Sequence, residues 1–362
     1  RILSVLAQTT QFKQTELAKQ LDMLPSALSP ALAKLAQRHI LRIYNFIDLP
    51  LIGLIPIEVF VRVSDSKTRP RWMEPLRTVP YAYSLNMMQQ DWIAGRFLIP
   101  NDHIYDFQEW VETLSLNQEL SSIFHFTTSE IIDHWNFNSY TPGVGWINDF
   151  SLLMEQVRSS LRENPPQSIE DKVSYFLYSH DSDQEPITLR PEDFIYFRRL
   201  TDIVFITDRI SPQLSQDIRK AGLSKSAYRR RVQYLEDENI SKLSRLWLLH
   251  IGLDTVIEVL LFEPTETTTN LIRALYKFPY ITGSIYEKGN GRIRLFIPKL
   301  QAVEVLSFLR KLGVELELDM LIEAQPFWKA VTGLQSPIKE SNYDFVNGRW
   351  IWNEANLFKF NL

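Results

Sequence analysis

The chain has 362 residues, a formal net charge of −4, 45% hydrophobic and 23% charged residues. That balance excludes a disordered chain, and the length points to two or three domains. Without cysteine, disulfides and thiolate metal sites are excluded, and a reducing compartment is permitted.

Nine Trp, 14 Tyr and 21 Phe supply ample material for buried cores. The two most apolar stretches are residues 49–57, broken by Pro50 and Pro56, and 246–262, which carries His250, Asp254 and Glu258. Neither offers the roughly 20 apolar residues that a membrane helix needs. The expectation is a soluble, cytoplasmic protein without a membrane partner.

In chain order, short helical patterns come first, at residues 2–8, 15–21 and a segment ending near 39. In the third, Leu28, Leu32 and Leu35 share one face, and Ser29 is expected to cap a helix whose first residue is Pro30. An apolar-rich stretch at 41–47 reads as a wing. Ile57, Val59, Val61 and Val63 then alternate as a half-buried strand does. A helix at 72–79, strands at 82–88 and 93–99, a helix at 103–114 and a strand at 122–126 complete a β-α-β-β-α-β order. Residues 131–188 read as a connector: an aromatic tail, an amphipathic helix at 151–162, and loops marked by Pro165-Pro166 and Asp181-Ser182-Asp183.

The second half repeats this order at an offset drifting from 200 to 198. Ile52-Gly53-Leu54 matches Ile251-Gly252-Leu253, Ile57-Glu58-Val59 matches Ile257-Glu258-Val259, and Ile99-Pro100 matches Ile297-Pro298. Residues 242–249 repeat the wing. Strands at 256–262, 282–286, 292–297 and 315–318 alternate with helices at 270–278 and 300–312, and Asn290-Gly291 marks a hairpin turn. The tails echo each other too, Tyr140 and Trp146 against Tyr343 and Trp350. The expected fold class is α+β: two tandem copies of a winged helix-turn-helix followed by a βαββαβ ferredoxin-like domain. The expected domains are 1–48 and 49–130, the connector 131–188, then 189–248 and 249–325, and an aromatic tail at 326–362.

The stretch 214–240 carries the sharper helix-turn-helix pattern. Gly222 permits the turn, Ser224 caps the second helix, and Tyr228, Val232 and Leu235 recur at core spacing. The outward face presents Ser226, Arg230 and Gln233, flanked by Lys225 and Arg229, with Arg231 nearer the core edge; all are counted as candidate DNA contacts, residue types that reach guanine edges and phosphates. In the first copy the candidate DNA contacts are Ser29, Lys34, Gln37 and Arg38, a weaker reading set. The alternative for both is a solvated basic face on a structural winged helix. Residues 1–47 sum to +4 and 198–245 to +5, so the rest of the chain carries −13.

These residues resemble the Lrp/AsnC transcription regulators of archaea and bacteria. "ELAKQL" at 16–21, "GLSKSAYRRRVQYLEDENI" at 222–240 and Ile-Gly-Leu entering the first strand carry the resemblance. It implies a DNA-binding, nucleoid-associated regulator whose two units, the ferredoxin-like ones being of the RAM type, form a pseudo-dimer within one chain. Double-stranded DNA is the expected partner, and self-association through the ferredoxin-like domains is a further one. An amino-acid effector near Lys288-Gly289-Asn290-Gly291 is implied only for the second copy, since Met88-Gln89-Gln90-Asp91-Trp92 lacks glycine.

Six scattered histidines show no ligand spacing, and no phosphate-binding or nucleophile motif is present. The expectation is therefore a chain that is not an enzyme, with no cofactor, catalytic residue or metal. Two alternatives remain open. One is a siroheme-decarboxylase-like tetrapyrrole enzyme, which resembles the same layout; the other is a protein-binding scaffold. Glu58 and Glu258 occupy matching strand positions and are expected to form rim or interface salt bridges.

Overall fold

The computed structural model describes residues 2–7, 14–38, 40–65, 67, 69–79, 81–88, 91–116, 119–141, 144–147, 149–162, 174–178, 185–201, 212–241, 243–248, 251–326 and 336–353. The loops expected at Pro165-Pro166 and Asp181–Asp183, and Gln89-Gln90, lie outside them. Among the described residues no helix is long and apolar enough to cross a membrane.

The first head comprises α1 (Ile2–Ala7), α2 (Gln14–Leu21) and α3 (Pro25–Gln37), followed by β1 (Leu41–Phe46). Leu6, Leu17, Leu21, Leu28 and Leu32 close its core, at helical spacing. α3 begins at Pro25, not at Pro30, so the expected cap at Ser29 is corrected: Pro30 lies inside the helix. It removes one backbone hydrogen bond there, and its position on the exposed side lets solvent meet the freed carbonyl.

The first sheet unit follows: β2 (Leu54–Val63), α4 (Arg69–Thr78), β3 (Ala82–Met87), β4 (Trp92–Pro100), α5 (Ile104–Ser115) and β5 (Leu120–Trp135). The last strand, expected at 122–126, runs to Trp135 and takes up residues assigned to the connector. After it come a small hairpin, β6 (Tyr140–Thr141) with β7 (Gly145–Trp146), α6 (Phe150–Arg162) and β8 (Ser174–Leu177).

The second head has α7 (Pro191–Thr201), α8 (Pro212–Lys220), α9 (Lys225–Asp237) and β9 (Leu243–Leu248). Gly222 takes a φ of +71°, and Ser224 Oγ accepts from Ala227 N at 3.1 Å, as its capping role requires. The second sheet unit is β10 (Thr255–Leu261), α10 (Thr265–Leu275), β11 (Tyr280–Tyr286), β12 (Gly291–Ile297), α11 (Ala302–Glu315) and β13 (Met320–Pro326), and β14 (Tyr343–Asp344) pairs with β15 (Arg349–Trp350) in the tail. The strand expected at 315–318 is the end of α11 and its turn. In the β11–β12 hairpin the positive φ falls on Gly289, one residue before the expected Asn-Gly pair.

Both units have the ferredoxin-like strand order, and they join edge to edge through β5 and β11. The antiparallel order is β13-β10-β12-β11-β5-β2-β4-β3, with β8 also on β5. The double length of β5 makes this possible: residues 120–127 pair with β2 and residues 128–135 with β11. The two stretches expected to be separate wings instead pair with each other, Leu41 opposite Leu248 and Phe46 opposite Leu243.

Packing is crossed. The first head's leucines share a cluster with Leu246, Leu248, Val256, Tyr280 and Phe296 of the second half. The second head's Phe194, Phe197, Leu235 and Ile240 pack with Ile52, Leu54 and Tyr81 of the first half. The aromatic tails fasten this exchange reciprocally. Trp146 Nε1 donates to Ile251 O at 2.8 Å, and Trp350 Nε1 donates to Ile52 O at 2.7 Å.

Candidate functional site

Strand alternation places Glu58, Phe60, Arg96, Phe126, Glu258, Arg292, Arg294, Ser284, Tyr286, Glu323 and Gln325 on the sheet face opposite the helices. In a flat sheet β2 and β12 would stand three strand spacings apart, about 14 Å. Arg292 nevertheless reaches Glu58, so the sheet curls and closes this face on itself. Phe60, Met88, Trp92 and Ala94 of the first unit meet Leu260 and Tyr286 of the second in one buried cluster.

Glu58 and Glu258 are fully buried, and Arg292 is 5% exposed. Glu58 Oε1 accepts from Arg96 Nε at 2.9 Å and from Arg96 Nη2. Its Oε2 accepts from the Tyr286 hydroxyl and from Arg292 Nη1, both at 2.8 Å. Arg292 Nε donates to Glu258 Oε1, which also receives Arg294 Nε at 3.3 Å, while Gln325 Nε2 donates to Oε2 at 3.0 Å. Glu323 stands directly opposite Glu258 on β13. The expected Glu58/Glu258 salt bridges therefore exist, but in the buried centre between the units, not on a rim.

Burial by itself pushes the Glu58 carboxyl up; Arg96 and Arg292 more than reverse this and hold it well below the ordinary carboxylate range. Glu258 follows the same balance, with Arg292 and Arg294 as its cations. Burial beside the Glu58 carboxylate raises Tyr286 well above the usual phenol value, so its hydroxyl stays protonated. Burial and the neighbouring Arg292 lower Arg294. Arg292 Nη2 is buried and has no hydrogen-bond acceptor among the described residues. The guanidinium carbon lies 5.7 Å from the Phe60 ring centroid.

A row of rings leads from this cluster to solvent. Tyr286 stacks on Phe126 at 5.1 Å, Phe126 lies 6.4 Å from Phe124, and Phe124 stacks on Trp92 at 5.9 Å, with Phe262 5.1 Å from Phe124. Phe124 is 37% exposed, and Arg62 covers Trp92 at 5.9 Å. Flat aromatic faces with a guanidinium at each end suit a planar ligand bearing carboxylates.

The residues proposed from sequence as DNA contacts sit elsewhere, on the heads. Lys225, Ser226, Arg229 and Arg230 are exposed along α9, and Gln233 is exposed but bonded to Asp237 at 2.8 Å. Arg231 turns inward: its Nε and Nη2 donate to Asp193 at 2.8 and 2.6 Å, and Nη2 also reaches Thr188 O. Its assignment as a DNA contact is corrected accordingly, because Asp193 is fully buried and needs that cation. Ser29, Lys34, Gln37 and Arg38 are exposed on and just beyond α3.

Sequence reasoning singled out Glu58 and Glu258 as a matched pair of salt-bridge residues, and did not single out Arg96, Arg292, Arg294 or Tyr286. The signal was there: Glu58, Arg96, Arg292 and Arg294 interrupt otherwise apolar strands at positions that share a parity.

No family model and no curated protein matches the chain. Among solved structures, the siroheme decarboxylase NirDL is similar at 11% identity over 90% of this chain and 89% of that one. Its TM-score is 0.52 in the co-complex with an iron-uroporphyrin III analogue and 0.51 in a second crystal structure. PH0061 and E. coli AsnC align over 35% of this chain and 86% of theirs, at 15% and 14% identity and a TM-score of 0.26 each. The expectation that the chain is not an enzyme is corrected by the first of these likenesses, which spans nine tenths of an enzyme. At this identity the likeness establishes a shared α+β architecture.

Proposed function

We propose that the chain is a siroheme-decarboxylase-like enzyme acting on a carboxylated tetrapyrrole received where its two sheet units close on each other. The carrying observation is Arg292, buried between the units with Nη2 lacking an acceptor among the described residues. The likeness to NirDL over nearly the whole of both chains supports the same reading.

The residues fit such a substrate in kind. Phe124, Phe126 and Phe262 offer ring surface for a planar ligand, and Arg292 and Arg62 offer donors for its carboxylates. Removing CO2 leaves an electron pair on the side-chain carbon, and a proton must take its place. Glu58, held ionised by Arg96 and Arg292, is not the source of that proton near neutral pH. The Tyr286 hydroxyl is the buried proton-bearing group at the inner end of the ring row.

Anaerobic incubation with siroheme, followed by absorbance and by mass spectrometry of the extracted pigment, tests this. The expected result is a shifted absorbance band and pigment lighter by whole CO2 units. Tyr286→Phe is expected to keep the band shift and lose turnover. Wild-type protein that neither shifts the band nor changes the pigment would overturn the reading.

A second reading is favoured by the exposed cations of α9. In it, Lys225, Ser226, Arg229 and Arg230 contact double-stranded DNA, with Ser29, Lys34, Gln37 and Arg38 adding backbone contacts, as in a nucleoid-associated Lrp/AsnC-type regulator of duplicated design. The β1–β9 pairing supports it by tying the heads together. In this reading a small-molecule effector belongs at the β11–β12 hairpin. Selection from a randomised duplex library tests it: an enriched motif lost on changing Arg229 and Arg230 to Ala supports the reading, and no duplex binding at low salt removes it.

A further inference from the structure

The second helix of each sheet unit exposes apolar side chains to solvent. Tyr105 on α5 and Leu116 at its end are 83% and 82% exposed; Val303 and Val314 on α11 are 79% and 83% exposed. Each pair is separated by eleven residues, which at 100° per residue returns to within about 20° of the same face. Between them the two faces differ in charge. Glu109 and Glu112 lie exposed on α5, whereas Ser307 and Arg310 lie exposed at the corresponding places on α11, with Lys311 beside them.

Laid antiparallel, the two faces match at every step: Tyr105 meets Val314, Glu109 meets Arg310, Glu112 meets Ser307, and Leu116 meets Val303. A parallel alignment would set the two helix dipoles side by side in the same direction, which the antiparallel one avoids. Next to Val314, between α11 and β13, lies a groove of about 500 Å³ lined by the apolar Val314, Leu318, Met320 and Ile322 and by the charged Arg310 and Glu317. A tyrosine brought against Val314 has this groove to enter, and its apolar ring and polar hydroxyl suit a lining that is part apolar and part charged.

We propose that α5 of one chain docks antiparallel on α11 of a second copy, with Tyr105 in the groove beside Val314 and Glu109 paired with Arg310. The two surfaces are different, so copies join head to tail, and repetition gives a ring or an open filament. Both helices lie on the sheet face opposite the Glu58 cluster, so this association stands independently of the proposed enzyme activity.

Sedimentation velocity of the full chain over a concentration series tests the proposal. Wild type is expected to form concentration-dependent oligomers. Tyr105→Asp and Val314→Asp are each expected to weaken association at least about tenfold, with unchanged circular dichroism and melting. An equimolar mixture of these two variants retains one intact α5 face and one intact groove, so it should form a dimer and stop there. Glu109→Arg and Arg310→Glu should each weaken association, and both together in one chain should restore it. A wild type that stays monomeric at the highest concentration overturns the proposal, as does association indifferent to Tyr105→Asp and Val314→Asp. So does a mixture that recovers no dimer, or a double charge exchange that fails to restore assembly.

Discussion

Arg292 donates through Nη1 to Glu58 Oε2 at 2.8 Å, although 234 residues separate them in sequence. Through Nε the same guanidinium holds Glu258, so one side chain neutralises the matching glutamates of both units. The bridge is asymmetric. At the register where Arg292 faces Leu260, the first unit has Ala94 facing Phe60. A second arginine there would crowd like charges into a dry space, and alanine leaves room for Arg292 to cross.

Removing that bridge strands two buried carboxylates. Arg292→Met is expected to lower unfolding free energy by about 3–5 kcal/mol, read from urea denaturation. Arg292→Lys should recover little, because a single ammonium cannot supply two separated donors. A near-neutral Arg292→Met would mean that the cluster is not closed as described.

The same cluster sets an acid limit on stability. Glu58 and Glu258 have folded-state pKa values below the unfolded one, so their contribution is complete above the ordinary glutamate value of about 4.3. It drains away as pH falls through the lower folded values, since the unfolded chain then binds more protons. Urea midpoints followed from neutral pH to about pH 3 should fall steeply for wild type and less so for Glu58→Gln. Parallel acid limbs would contradict this.

Arg231 and its neighbours on α9 should separate by readout. Arg231→Ala leaves buried Asp193 without its cation and is expected to cost about 3 kcal/mol or more in stability. Arg229→Ala and Arg230→Ala should change melting within about 0.5 kcal/mol. If the heads read DNA, each should also reduce the salt slope of duplex binding by about 1.

Trp146 and Trp350 provide a paired test of the crossed packing. Replacing either by Phe keeps most of the apolar area and orphans the carbonyl it caps, Ile251 O or Ile52 O. Each replacement should cost about 1–3 kcal/mol, with Trp350→Phe the larger because its ring is buried and that of Trp146 is half-buried.

Pro30 offers a stabilising change. It sits inside α3 at an exposed position, so Pro30→Ala restores a helical hydrogen bond. The expected gain is about 1–3 kcal/mol, seen as a higher melting temperature.

By itself the sequence determined the local elements and their order. Hydrophobic spacing of 3.6 residues along 28–35 and 228–235, and of two residues along 57–63, is written in adjacent residues and needs no partner to be read. The β-α-β-β-α-β order followed from that, and the capping serine at 224 from its position after Gly222. The tertiary structure decided what depends on residues far apart. It extended β5 to Trp135, because a second strand edge, β11, was there to pair with it. It made one ribbon of the expected wings, because each head packs on the other half of the chain. It drew Arg96, Arg292, Arg294 and Tyr286 around Glu58 and Glu258, because a curled sheet brings strands three places apart within reach of one guanidinium. Parity along a strand fixes which face a charge occupies; only closure of that face decides whether the charge meets water or another charge.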